Sequence, residues 1–137
     1  MENEAVKYAG HLHILLWIFP ALFFGAALVS DVLACLGRER ALRIGHWLVI
    51  LGVISSIPVI TTGLAEAGNV NPEDYFLAKH RYLGIAVGVW GSLYAGLRIS
   101  SMFWDLPLAA KHYAFLSMLM LALIWWTCDY GWLISRS

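Results

Sequence analysis

Four long apolar stretches dominate the sequence, at about 12–36, 44–65, 80–103 and 108–134. A helix needs about 20 mostly apolar residues to cross the hydrocarbon core of a bilayer, and each stretch is long enough. Of the 137 residues, 61% are hydrophobic and only 13% are charged, which is not the composition of a water-soluble domain. The sequence therefore predicts an all-α integral membrane protein in contact with the lipid bilayer.

The connections between these stretches are short, so successive helices are expected to run in opposite directions. We predict a single domain, residues 1–137, folded as an up-down-up-down four-helix bundle. We call side A the membrane face with the N-terminus, the second connection and the C-terminus, and side B the face with the first and third connections. The formal net charge is zero, which offers no basic surface for nucleic acid.

Basic residues near the ends of the spans bear on orientation, because cytoplasmic segments carry an excess of Lys and Arg. Side B is predicted to be cytoplasmic and the two termini non-cytoplasmic, in the inner membrane of a bacterium. The count behind this prediction is four on side A and five on side B: Lys7, Lys79, Arg81 and Arg136 against Arg38, Arg40, Arg43, Arg98 and Lys111.

Histidines occur within the first few turns of every predicted helix. Diagonal helices of the bundle would pair His13 with His80 near side A, and His46 with His112 near side B. In each pair the second histidine follows the first by close to half the length of the chain. This spacing suggests a two-helix unit used twice and favours His13 over its neighbour His11.

Two imidazoles that face each other across a bundle are a typical pair of axial ligands for haem iron. The pattern predicts haem b, one or two per chain, with His13, His80, His46 and His112 as the metal ligands. Gly84 and Gly88 follow His80 at helical spacing and would let a flat macrocycle approach the backbone. Arg81 and Lys111 would face the haem propionates.

Each of these features also has an ordinary structural explanation. Histidines near a membrane surface can bind headgroups, water or a carbonyl, glycines help membrane helices to pack, and cations flank membrane helices in general. Asp31 is expected to pair near side B with Arg98 or Arg43. A proton-linked transporter is less favoured, because the spans carry no charged residue near the middle of the membrane.

Three short motifs carry a family resemblance: the run from His13 to Pro20, then Thr62-Gly63-Leu64, then His80-Arg81. Over nearly its whole length the chain resembles the bacterial four-span membrane family catalogued as domain of unknown function 2231. That family often has a second histidine shortly before the proline, where this chain has Ile18. The resemblance implies the four-span architecture, and the paired histidines are similar in arrangement to small b-type membrane cytochromes.

The function that we expect is electron transfer within or across the membrane, from a quinol or to a redox partner protein. The alternative is a non-catalytic accessory or assembly subunit of a larger membrane complex, in which the histidines are structural. The sequence contains no nucleophile with an adjacent base and no phosphate-binding loop, so a hydrolase or an NTPase is not expected.

Overall fold

Four long helices make up the computed structural model, which describes residues 12–67, 75–104 and 108–134. They are α1 (Leu12–Cys35), α2 (Glu39–Ala67), α3 (Tyr75–Phe103) and α4 (Ala110–Ile134). All four are long and apolar enough to cross a membrane, which confirms the predicted all-α architecture. Helices α2 and α3 begin before the predicted spans. The first turns of α2 carry Glu39, Arg40 and Arg43, which hydropathy alone does not assign to a span.

A break in α1 separates its first turns from the regular helix Ile18–Cys35. Pro20 has no backbone N–H, so it cannot continue the hydrogen-bond ladder, and its ring crowds the carbonyl four residues earlier. A turn at Trp17 takes up this conflict, and the Trp17 N–H still donates to the His13 carbonyl at 3.2 Å. His13 lies in the segment before this turn.

The connection between α1 and α2 is a tight glycine-terminated turn. Gly37 has a φ of +87°, which an L side chain adopts only with strain. The Gly37 N–H donates to the Ala34 carbonyl and the Arg38 N–H to the Leu33 carbonyl, the pattern of a Schellman motif. The chain thereby reverses within a few residues and α2 begins at Glu39.

The helices pack in a ring, with α1 and α3 each against both α2 and α4. Ring contact between His13 and His80 near side A, and an ion pair between Asp31 and Arg98 near side B, show that α1 and α3 run in parallel across the bundle. The centre between these two contacts is apolar. It is filled by buried side chains from all four helices: Phe24, Val49, Val87, Met120 and Ile124.

Large apolar side chains cover the outside of the bundle. Leu22, Leu93 and Trp125 are 62%, 64% and 78% exposed, and all lie within spanning segments. Such a surface would aggregate in water, whereas hydrocarbon is an equivalent solvent for it. The protein is therefore an integral membrane protein whose lateral surface contacts lipid.

Candidate functional site: a histidine pair near side A

The side chains of His13 and His80 meet across the bundle near side A. Their ring centroids are 5.9 Å apart and the ring planes are nearly perpendicular, at 86°. The predicted pairing of these two histidines is thus present in the structure. His11, the alternative to His13, lies outside the described residues.

Both rings are held by a backbone carbonyl of the neighbouring helix. His13 Nδ1 lies 2.8 Å from the Val59 carbonyl oxygen, and His80 Nδ1 lies 2.8 Å from the Thr127 carbonyl oxygen. A carbonyl oxygen only accepts, so Nδ1 must carry the hydrogen in each ring. The lone pair of each neutral imidazole is therefore on Nε2, the tautomer that metal-binding histidines commonly adopt when the other nitrogen is held this way.

A glycine lies directly against each imidazole. A Cβ atom at Gly63 would be 2.8 Å from His13 Cε1, and one at Gly131 would be 3.0 Å from His80 Cε1. Distances of this kind are shorter than an ordinary van der Waals contact, so a larger residue would displace the ring. The two glycines fix where the rings can lie.

These contacts repeat in the two halves of the chain. Val59, whose carbonyl accepts from His13, comes 46 residues after it, and Thr127, whose carbonyl accepts from His80, comes 47 residues after it. In each half the glycine against the ring, Gly63 or Gly131, lies four residues beyond that carbonyl. The repetition supports a two-helix unit used twice, with an approximate two-fold axis between the histidines.

A cavity of about 560 Å³ adjoins the histidine pair. Its walls are mostly apolar and come from all four helices; they include Trp17, Leu64, Arg81, Gly84 and Trp132. Gly84 has nothing within 4 Å of the position of its missing Cβ, so it leaves the cavity open beside His80. Gly88 has a different role, because a Cβ there would meet Ile60 Cδ1 at 2.8 Å, which is helix packing. Arg81 is exposed at the side A end.

The second predicted pair, His46 with His112, is not brought into ring contact. The ring against His46 is that of Tyr113, with centroids 5.4 Å apart and an angle of 89°. His46 is buried, whereas His112 and Lys111 are exposed at the start of α4. Tyr113 follows His46 by the same sequence offset that separates His13 from His80, so the repeat points to Tyr113 and not to His112.

The space near His46 is occupied by a buried polar cluster. Arg98 Nη2 donates to Asp31 Oδ2 at 2.5 Å, and both side chains are fully buried. The Ser117 hydroxyl donates to the same Oδ2 at 2.7 Å, and Arg98 also donates to the Tyr94 hydroxyl. The guanidinium carbon lies 4.2 Å from the centroid of the Tyr113 ring. Arg98 is thus the predicted partner of Asp31, and this cluster lies beside His46. The predicted second haem stays a prediction.

Burial of Arg98 also changes the argument about orientation. Arg98 was the fifth basic residue on side B, and inside the bundle it no longer counts among the charges at the membrane surface. Four basic residues then remain on each side, so the charge distribution favours neither orientation. The predicted direction of the termini stays a prediction.

Comparisons with models of protein families, with curated proteins and with solved structures give no match for this chain. The family resemblance therefore also stays a prediction. Within residues 12–67, 75–104 and 108–134 there is no group of three or more His, Cys, Asp or Glu side chains that could hold a metal ion. The described part of this site accordingly offers two imidazoles as protein ligands.

Proposed function

We propose that the protein is a membrane-embedded electron-transfer protein that holds one haem b between His13 and His80. The observation that carries the proposal is the contact of the two imidazoles across the bundle, with centroids 5.9 Å apart and Nδ1 of each donating to a carbonyl.

The number of ligands favours a haem over a lone metal ion. A structural ion such as zinc takes four ligands in proteins, whereas the described residues supply two imidazoles at this site. A porphyrin supplies four nitrogens of its own and leaves at most two positions on the iron for protein ligands. Two histidines therefore suffice for haem iron and are too few for an ion held by protein alone.

The spacing of the rings and the size of the cavity agree with this choice. With metal–imidazole bonds of about 2 Å and the radius of each ring added, two imidazoles on opposite sides of one metal have centroids roughly 6 Å apart. In this protein the distance is 5.9 Å. The adjoining volume of about 560 Å³ lies within the usual range for a cofactor site, about 300–1,000 Å³.

The other residues would hold the macrocycle and set its environment. Trp17, Leu64 and Trp132 give apolar contacts, Gly84 leaves room beside His80, and exposed Arg81 would pair with a propionate near side A. Bound haem iron supplies one-electron chemistry by alternating between its ferric and ferrous states. Because His13 and His80 would both bind the iron, no position on it would remain for a gas, and the site would suit electron transfer. A membrane-soluble quinol or a redox subunit is the proposed partner.

The test is the haem content of purified protein from haem-replete cells, measured as the reduced-minus-oxidised spectrum. We expect His13→Ala and His80→Ala each to lose at least nine-tenths of the haem. His112→Ala is the matched control, because His112 is exposed near side B, and it should keep full haem content. Full haem content in His80→Ala would overturn the proposal. A colourless wild-type protein would favour the accessory-subunit alternative.

A further inference from the structure

A second polar site lies inside the bundle toward side B, around Asp31, Arg98 and His46. Asp31 and Arg98 each lie little more than one helical turn before the end of their helix, which places them about 6–8 Å inside it at a rise of about 1.5 Å per residue. Ionisable groups within membrane helices are costly and commonly functional. The side A pair does not use any of these three residues.

Two acceptor atoms define this site, one on His46 and one on Asp31. Arg98 Nη1 lies 3.4 Å from His46 Nδ1, and because a guanidinium only donates, Nδ1 is an acceptor without a hydrogen. Asp31 Oδ1 is buried and accepts no hydrogen bond within the described part of the protein. A two-pronged pairing of Arg98 with the carboxylate would have used this oxygen, but Nη1 points to His46 instead.

Gly45 brings these atoms close to each other. A Cβ at position 45 would lie 2.8 Å from Asp31 Oδ1 and 3.3 Å from Arg98 Nη1, so both atoms border the same glycine. A rotation of the guanidinium that moved Nη1 from His46 toward Oδ1 would give the same residues a second hydrogen-bond arrangement.

An open cleft connects His46 with the aqueous phase on side B. Its volume is about 280 Å³, and it is lined by Glu39, Leu42, Arg43, His46 and Met102. Toward side A the polar cluster ends against the apolar layer of Phe24, Val49 and Met120, which are fully buried. The site is thus a pocket reached from one side and not a path across the membrane.

We propose that His46, Arg98 and Asp31 form a proton-binding site that is loaded from the side B aqueous phase. An O–H bond of a hydronium ion in the cleft breaks and an N–H bond forms at His46 Nδ1. Arg98 Nη1 is displaced from that nitrogen. Either Arg98 Nη1 or the new N–H of His46 then donates to Asp31 Oδ1. The site gains one positive charge, and no electron is transferred.

The surrounding charges determine what the site can bind. The groups that face it from the four helices are Asp31 on α1, Glu39 and Arg43 on α2, Arg98 and Tyr94 on α3, and Tyr113 on α4. The acceptors in the described part of this site are one imidazole nitrogen and one carboxylate oxygen. They are too few for a metal cation, whereas a single proton can be shared between them. Because these groups interact strongly, the proton belongs to the cluster as a whole.

The proposal is tested by ¹⁵N NMR of the histidine rings in the full-length protein, reconstituted in lipid nanodiscs and titrated from about pH 8 to about pH 5, the range in which histidine changes charge. We expect the His46 resonance to titrate in the wild type. In Asp31→Asn, where Arg98 keeps its charge without a counter-ion, we expect that titration to be lost.

Two further variants separate this result from a general structural effect. Asp129→Asn removes an exposed carboxylate near side A and should titrate as the wild type does. Ser117→Ala removes one hydrogen bond to Asp31 but leaves the carboxylate, so the titration of His46 should remain even if Asp31→Asn fails to fold. A His46 resonance that does not change over this range in the wild type, or that is lost in Ser117→Ala, would overturn the proposal. The outcome does not depend on haem, since the test monitors His46 alone.

Discussion

Removing the charge of Asp31 should destabilise the bundle far more than removing an exposed carboxylate. Asp31 Oδ2 accepts hydrogen bonds from both Arg98, at 2.5 Å, and Ser117, at 2.7 Å. In Asp31→Leu the guanidinium of Arg98 stays fully buried without a counter-charge. Breaking a buried ion pair from one side costs about 3–5 kcal/mol, and we expect a loss of this size in the free energy of unfolding.

Replacing both partners should restore much of this loss. In the double variant Asp31→Leu, Arg98→Leu neither position carries a charge, and apolar groups of similar volume often replace a buried pair at little cost. Tyr94 would lose Arg98 and Ser117 would lose Asp31, at about 0.5–1.5 kcal/mol for each lost bond, but the two hydroxyls remain hydrogen-bonded to each other at 2.9 Å. We therefore expect the double variant to be more stable than Asp31→Leu, by about 2 kcal/mol.

The assay is reversible unfolding in mixed micelles, followed by loss of helical circular dichroism. Asp129→Leu is the matched control, because Asp129 is exposed, and it should change stability by less than about 1 kcal/mol. The reasoning is refuted if Asp31→Leu costs no more than Asp129→Leu. It is also refuted if the double variant loses as much free energy of unfolding as Asp31→Leu and Arg98→Leu lose together when each is measured alone.

Two further predictions concern glycines. Gly63→Leu should lower haem affinity at least about tenfold, equivalent to about 1.4 kcal/mol, because its Cβ alone would be 2.8 Å from the His13 ring. Gly25→Leu should leave the affinity unchanged, since nothing lies within 4 Å of a Cβ at that position. Equal haem affinities of these two variants in a titration would contradict this prediction. Gly37→Val should cost about 1–2 kcal/mol of stability, because an L side chain is strained in the left-handed region and φ is +87° there. Gly37→Asn should cost much less, and equal unfolding free energies for the two variants would exclude that explanation.

Hydropathy and helix spacing were enough to predict the four spans and the pair His13 and His80. Long apolar stretches have few alternatives in lipid, and the repeat of a two-helix unit brings equivalent positions of α1 and α3 together. The carbonyls of Val59 and Thr127 had no signal of their own, because every residue has a carbonyl. In the sequence Gly63 stands out only as part of the Thr62-Gly63-Leu64 motif, and its place against the His13 ring depends on how α1 and α2 pack.

The second pair shows where spacing alone fails. Successive residues of a helix point about 100° apart, so an error of one residue selects a different face. His112 is exposed, whereas Tyr113, the next residue, is buried against His46. The ion pair of Asp31 and Arg98 was expected at the membrane surface. Its burial follows from Gly45, which lets α2 approach both side chains, and sequence hydropathy does not report such a contact.

The central claim is tested most directly by the ratio of haem to protein in the purified wild-type chain, measured with its reduced-minus-oxidised spectrum. The contact between His13 and His80, and its lack between the rings of His46 and His112, which both lie in the described part of the chain, predict a b-type spectrum with one haem per chain. A ratio near two would mean that the side B region also holds a haem, and a ratio near zero would mean that the histidine pair does not bind one.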